Sequence, residues 1–180
     1  MPVFEFLNQD IAHPFLDALL PVWREKTTWV PLYLLWAVLL WRSFGWKRTL
    51  LLLALVGLTI AVADQLAASV IKPWAGRLRP CATEGIEVRV LVGCGGKWSF
   101  PSNHATNHFA VAAVLALTWL RRHARGWRLA IFVWAATISL AQVYVGKHWP
   151  GDIVVGAALG TSLAALAVLL YRRWAGPLAI

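Results

Sequence analysis

Five long apolar blocks, at about 27–44, 49–71, 104–120, 127–146 and 152–171, decide most of what this chain can become. Each comes near the ~20 residues that carry a helix across a ~30 Å hydrocarbon layer. In lipid a backbone must satisfy its own hydrogen bonds, which for blocks of this length means helices. The pattern predicts an all-α, polytopic membrane helical bundle with five transmembrane helices. Composition agrees: 59% of residues are hydrophobic and 14% charged, against roughly 45–50% and about 25% in soluble domains. The 180 residues suit one membrane-embedded domain, 1–180.

Ahead of the first block, residues 8–23 mix apolar and charged side chains and are too polar to span. They read as an interfacial amphipathic helix within an N-terminal region, 1–26. The start, MPVFEFLNQD, has neither a basic segment nor an apolar core and so does not read as a cleaved signal peptide. The net charge of +9 is not a nucleic-acid surface, because its residues are dispersed among loops. Arg42, Lys47, Arg48, Arg121, Arg122, Arg125, Arg128, Arg172 and Arg173 fall in alternate loops that hold no acid. The other loops hold eight basic and seven acidic residues. Positive charge in short loops marks the cytoplasmic face. The N-terminus and the 72–103 loop therefore read as outside, the C-terminus as inside. Trp29, Trp46, Trp127, Trp149 and Trp174 at block ends suit an interfacial belt. The two cysteines, Cys81 and Cys94, share the outward loop, where an oxidising environment favours a disulfide over two free thiols.

Three polar clusters fall on that outward side: KPWAGRLRP (72–80), FPSNHATNH (100–108) and QVYVGKHWPGD (142–152). Lys72 and Arg79 are donors without acceptor capacity, suited to an anion. Pro101-Ser102-Asn103 reads as a helix start capped by Ser102, and free amides at such a start attract anions. His104 lies in the first turn. His148 and Asp152 are four apart, a spacing that lets a carboxylate hold one imidazole nitrogen and leave the other to attack. Taken singly, each has a plainer role: an interfacial anchor for a histidine, a snorkelling flank for Lys72 or Arg79, a cap for Asp152. Asp64, inside the second block, is an intramembrane carboxylate and a functional candidate by default, with no partner visible in the sequence. The coincidence on one side is what favours chemistry.

These clusters resemble the type 2 phosphatidic acid phosphatase superfamily, with its motifs KxxxxxxRP, PSGH and SRxxxxxHxxxD. Here they stand as Lys72…Arg79-Pro80, PSNH with Asn103 for glycine, and AQVYVGKHWPGD with Ala141-Gln142 for Ser-Arg. The resemblance implies a membrane lipid phosphatase working without a metal or other cofactor. His148 would be the nucleophile and Asp152 its orienting partner, while His104 would protonate the leaving oxygen. Lys72, Arg79, Ser102, Asn103 and Gln142 would surround the phosphoryl group. Asparagine tolerates the left-handed backbone better than most residues, and so fits a glycine position. Gln142 carries no charge, and Lys147 and Arg77 are the candidate replacements for the missing cation.

The expected substrate is a lipid phosphomonoester or a polyprenyl diphosphate such as undecaprenyl diphosphate, the latter favoured on family frequency. The setting is a bacterial inner membrane with the site facing the periplasm or exterior. The bilayer and the lipid phosphate are the expected partners, and oligomeric state is not legible. Two other readings compete. His104 and His108 at i, i+4, with His148 and Asp152, would make a zinc hydrolase. A non-catalytic lipid-phosphate binding or transport protein would keep the fold without the chemistry.

Overall fold

The computed structural model describes residues 2–175. Met1 and 176–180, with the inward C-terminus expected there, lie outside the described residues, as do the Arg122 and Ala175 side chains. Seven α-helices follow in order: α1 (Pro2–Glu5, continued by a π-turn over Phe6–Asp10), α2 (Pro14–Trp23), α3 (Val30–Gln65), α4 (Lys72–Ala75), α5 (Asn103–Leu117), α6 (Arg125–Tyr144) and α7 (Pro150–Ala175). No strand occurs among the described residues, and one isolated bridge, Leu78 to Trp98, is the only extended pairing. The all-α expectation holds.

The N-terminal helix expected over 8–23 is instead two pieces. The chain turns at Ile11–His13, where the His13 side chain caps α2 by accepting from the Phe15 N–H at 3.2 Å and Pro14 takes the first helical position. Helix α3 holds most of both expected blocks, 27–44 and 49–71, and the remainder falls in the turns Lys26–Trp29 and Leu66–Ile71 that flank it. At Gly45 its backbone reaches φ 74°, ψ 168°, a conformation that glycine enters without steric cost. The chain reverses there: Tyr33 and Trp36 of one arm line the same cavity as Ile60 and Asp64 of the other. In an unbroken helix Tyr33 and Asp64 would stand roughly 45 Å apart. Among the described residues, three stretches are long and apolar enough to cross a membrane, Lys26–Ala75 (containing both arms), Arg125–Tyr144 and Pro150–Trp174. Helix α5 has only 15 residues, shorter than the expected 104–120. Thr118 ends it at φ −109°, ψ −86°, and Arg172 donates to the Leu117 carbonyl beyond its last turn.

Exposed apolar side chains such as Leu34, Leu50, Leu58, Val154 and Leu169 form the outer surface, as a hydrocarbon solvent demands. Helix α5 runs through the middle, packed on α7, α6 and α3, and its buried residues are mostly Ala. Against α7 the backbones nearly touch. A Cβ on Gly160 would fall 2.0 Å from the Thr106 carbonyl oxygen, and one on Gly156 2.7 Å from that of Ser102. Small residues four apart permit this approach in membranes. The result is that the start of α5 and the start of α7 are fixed against each other, with the Ser102 N–H donating to the Asp152 carbonyl at 3.0 Å.

Candidate active site

The loop between α4 and α5 folds over the ends of α5 and α7. A Cys81–Cys94 disulfide closes it, and the N-terminal segment ties it down. The Asn8 amide donates to the Arg89 carbonyl at 2.9 Å and the Tyr144 carbonyl at 2.8 Å. Asp17 takes two bonds from Arg89, at 2.7 and 2.6 Å, and one from the Tyr144 hydroxyl at 2.6 Å. The peptide before Pro101 is cis.

Underneath, the three motif clusters converge. His148 lies between α6 and α7, nearly sealed at 2% exposure, and Asp152 is fully buried. The imidazole Nδ1 stands 3.5 Å from Asp152 Oδ2 and 3.3 Å from Ser99 Oγ. The Ser99 hydroxyl donates to the same carboxylate oxygen, which also accepts the Trp149 N–H at 2.8 Å. The other carboxylate oxygen takes Arg77 Nη1 at 3.1 Å. Asp152 therefore orients the ring, and Nε2 faces Arg79 Nη1 at 3.3 Å. Burial pushes the His148 pKa down to about 4; the hydrogen bond to Asp152 opposes this, and the charges of Arg79 and Lys72 add to it. At neutral pH the ring is neutral and its lone pair is available.

Both cations of the first motif also shape the loop. Lys72 Nζ donates to the carbonyls of Ser99 (3.1 Å) and Pro101 (2.5 Å), and Arg79 Nε to that of Gly96 (2.6 Å). Ser102 caps α5, its hydroxyl accepting from Ala105 N–H at 3.4 Å. The amides of Asn103 and His104, first in the helix, have no intrahelical acceptor. Asn103 departs from its expectation. No non-glycine residue among those described has positive φ. Its amide reaches Asp64 Oδ1 at 2.8 Å instead, and Asn107 reaches the same oxygen at 2.9 Å. The carboxylate without a visible partner thus has two.

His104 lines a cavity of about 440 Å³ between the two arms of α3 and α5. Asp64, Asn103, Asn107 and His108 form its polar end, and Trp36, Leu40, Leu53, Val56 and Leu115 its apolar walls. The zinc set is dispersed. His108 is engaged by the His104 carbonyl at 2.8 Å and Tyr33 hydroxyl at 3.3 Å. No three His, Cys, Asp or Glu side chains among the described residues stand together as metal ligands.

Gln142 is fully buried, and its Oε1 accepts from Arg24 Nε at 3.1 Å. Neither expected replacement stands there: Arg77 is paired with Asp152, and Lys147 Nζ runs to within 3.3 Å of where a Cβ on Gly95 would lie. Sequence reasoning missed Arg24 and Ser99. For Arg24, the one available signal was a charge missing at 142.

A helical membrane protein with a buried His–Asp pair facing an arginine, and with a largely apolar cavity lined by a further histidine, has the make-up of a hydrolase of lipid-borne groups. The profile of the PAP2 superfamily matches residues 49–175, and the chain belongs to that superfamily as a membrane phosphatase. The lipid A 4'-phosphatase of Bacteroides thetaiotaomicron is 38% identical over 83% of this chain and 67% of its own length. That of Porphyromonas gingivalis is 28% identical over 92% and 72%. The crystal structure of Aquifex aeolicus LpxE superposes with a TM-score of 0.69 at 23% identity, covering 93% of each chain. The PAP2-type phosphatidylglycerolphosphate phosphatase of Bacillus subtilis gives 0.67 at 23%, covering 96% of this chain and 86% of that one.

Proposed function

We propose that the chain dephosphorylates a saccharide-based membrane lipid of the lipid A type at the outer face of the inner membrane, through a phosphohistidine on His148. The observation that carries the chemistry is the His148 ring, held at Nδ1 by Asp152 and Ser99 with Nε2 turned to Arg79. Nε2 attacks phosphorus as the ester P–O bond breaks, and His104 gives its proton to the lipid oxygen. Water then attacks the phosphohistidine, His104 takes a proton from it, and phosphate leaves. Arg79, Lys72, Ser102 and the first amides of α5 receive the equatorial oxygens; such transfers depend on positioning and charge neutralisation.

Two relatives aligned over most of this chain support the substrate class. The undecaprenyl-diphosphatase of Sulfolobus acidocaldarius matches only 39% of it, so the polyprenyl preference gives way. Five crossings follow if both arms of α3 and the short α5 span. The test is phosphate release by purified protein in detergent with EDTA, from a lipid A 4'-phosphate, phosphatidylglycerophosphate and undecaprenyl diphosphate. Preference for the first, with acid-labile label on His148, is expected. Equal rates on all three sink the substrate assignment; label elsewhere sinks the mechanism.

A further inference from the structure

The position where the family motif places an arginine is filled here by an uncharged, fully buried amide. That amide is not idle. Oε1 accepts from Arg24 Nε at 3.1 Å, which fixes the orientation, since the opposite one would set N–H against N–H. The donor Nε2 is buried with no hydrogen-bond partner among the described residues, a costly state for a native protein unless a water or a bound ligand supplies the acceptor. The Gln142 carbonyl meanwhile accepts the N–H groups of Lys147 (3.0 Å) and His148 (3.2 Å), so the residue gripping Arg24 also sets the nucleophile's turn.

Arg24 comes from outside the matched family region, just past α2. It is 5% exposed. Its Nη1 pairs with the half-exposed Glu25, and Nη2 makes no hydrogen bond to any described residue. Its place is rigidly made. Trp23 donates from Nε1 to Thr137 at 3.1 Å, Trp29 Nε1 donates back to the Trp23 carbonyl at 2.8 Å, and the rings of Trp23, Trp29 and Trp134 pack edge to face. Glu25, next in sequence, lines the same cavity as His104. Arg24's charge also reaches the site. Burial lowers the pKa of Lys147 and Arg79, and Arg24's field lowers both further, while Asp152 opposes the shift at Arg79.

We propose that Arg24 and Gln142 together form a phosphate-binding fork, Arg24 supplying the charge and a free N–H and Gln142 the second N–H. The fork replaces a single arginine on α6 with a cation carried by the N-terminal segment. It rests on the phosphatase reading for its place in catalysis, but its ligand chemistry, a phosphate dianion, is testable alone.

The test uses the purified full chain in detergent, with inorganic phosphate as the probe, and reads its dissociation constant by calorimetry beside lipid turnover. Arg24→Gln should weaken phosphate binding by about 30-fold or more, and adding Gln142→Arg to it should restore binding to within about threefold. Arg24→Lys, which keeps charge but loses the fork, should lose about tenfold and decides the matter if Arg24→Gln does not fold. Unchanged binding in a folded Arg24→Gln or Arg24→Lys, or no rescue by Gln142→Arg, overturns the fork. Wild type that binds phosphate through Arg24 yet cleaves none of the lipids would sustain the fork and sink the proposed function.

Discussion

The two flanks of α5 are built on opposite terms. Toward α7 the backbones approach so closely that Gly156 and Gly160 have no room for a methyl group. Toward the arms of α3 the same helix faces a cavity of about 440 Å³. The closed flank joins Ser102 to Asp152 and thereby holds the capped helix start against the His148 turn. The open flank carries His104 and the apolar walls. A lipid phosphatase needs this division: phosphoryl contacts hold to within fractions of an ångström, whereas an acyl chain requires only volume. In the proposed mechanism the attacking ring belongs to the sealed side, while the leaving group meets His104 on the loose one.

Gly160→Leu breaks the comparison most severely. Its Cβ would meet a backbone oxygen at 2.0 Å, which no rotamer relieves. Destabilisation of about 3 kcal/mol or more is expected, read as loss of the monodisperse detergent-solubilised protein. Gly57, with open space around its Cβ position, is the control; Gly57→Leu should leave it folded.

Asp152→Asn keeps the shape of the closed flank but removes the charge that steadies an imidazolium. Turnover should fall about 100-fold or more, with the protein still folded. A loss below threefold would mean that Ser99 alone orients His148.

The depressed pKa of His148 gives a pH signature. Its value of about 4 lies below the ordinary 6.5, so the unfolded chain takes up the proton first as pH falls. The stability contribution is complete above about 6.5 and is lost as pH falls toward 4. Denaturation of wild type should therefore steepen across that window more than that of His148→Gln. Parallel curves would show a ring open to water.

Much of the closed flank was legible because it depends on residues close in sequence. His148 and Asp152 lie four residues apart, and Ser102 announces a helix start. The division between 27–44 and 49–71 was legible, but the reversal at Gly45 inside one helix was not read, and 8–23 read as continuous where the chain breaks at Ile11–His13. What could not be read depends on contacts between distant segments. Ser99 meets His148 at a separation of 49 residues and Arg24 meets Gln142 at 118; no periodicity links such pairs. Asn103 read as a backbone accommodation and proved to be a side-chain ligand of Asp64, a contact that only the return of α3 alongside α5 creates.

The smallest expected effect is the most discriminating for the open flank. Leu53→Trp, on the apolar wall, should occupy part of the cavity without disturbing the His148 site, since a larger side chain there grows into existing space. A long-chain lipid phosphate should lose about tenfold in kcat/KM, roughly 1.4 kcal/mol, mostly through KM. A short soluble phosphate ester, with no chain to house, should be cleaved as by wild type. Equal losses on both would show that the cavity wall shapes the reacting centre itself; no loss on either would place the lipid chain outside the bundle and leave the cavity without a part in binding.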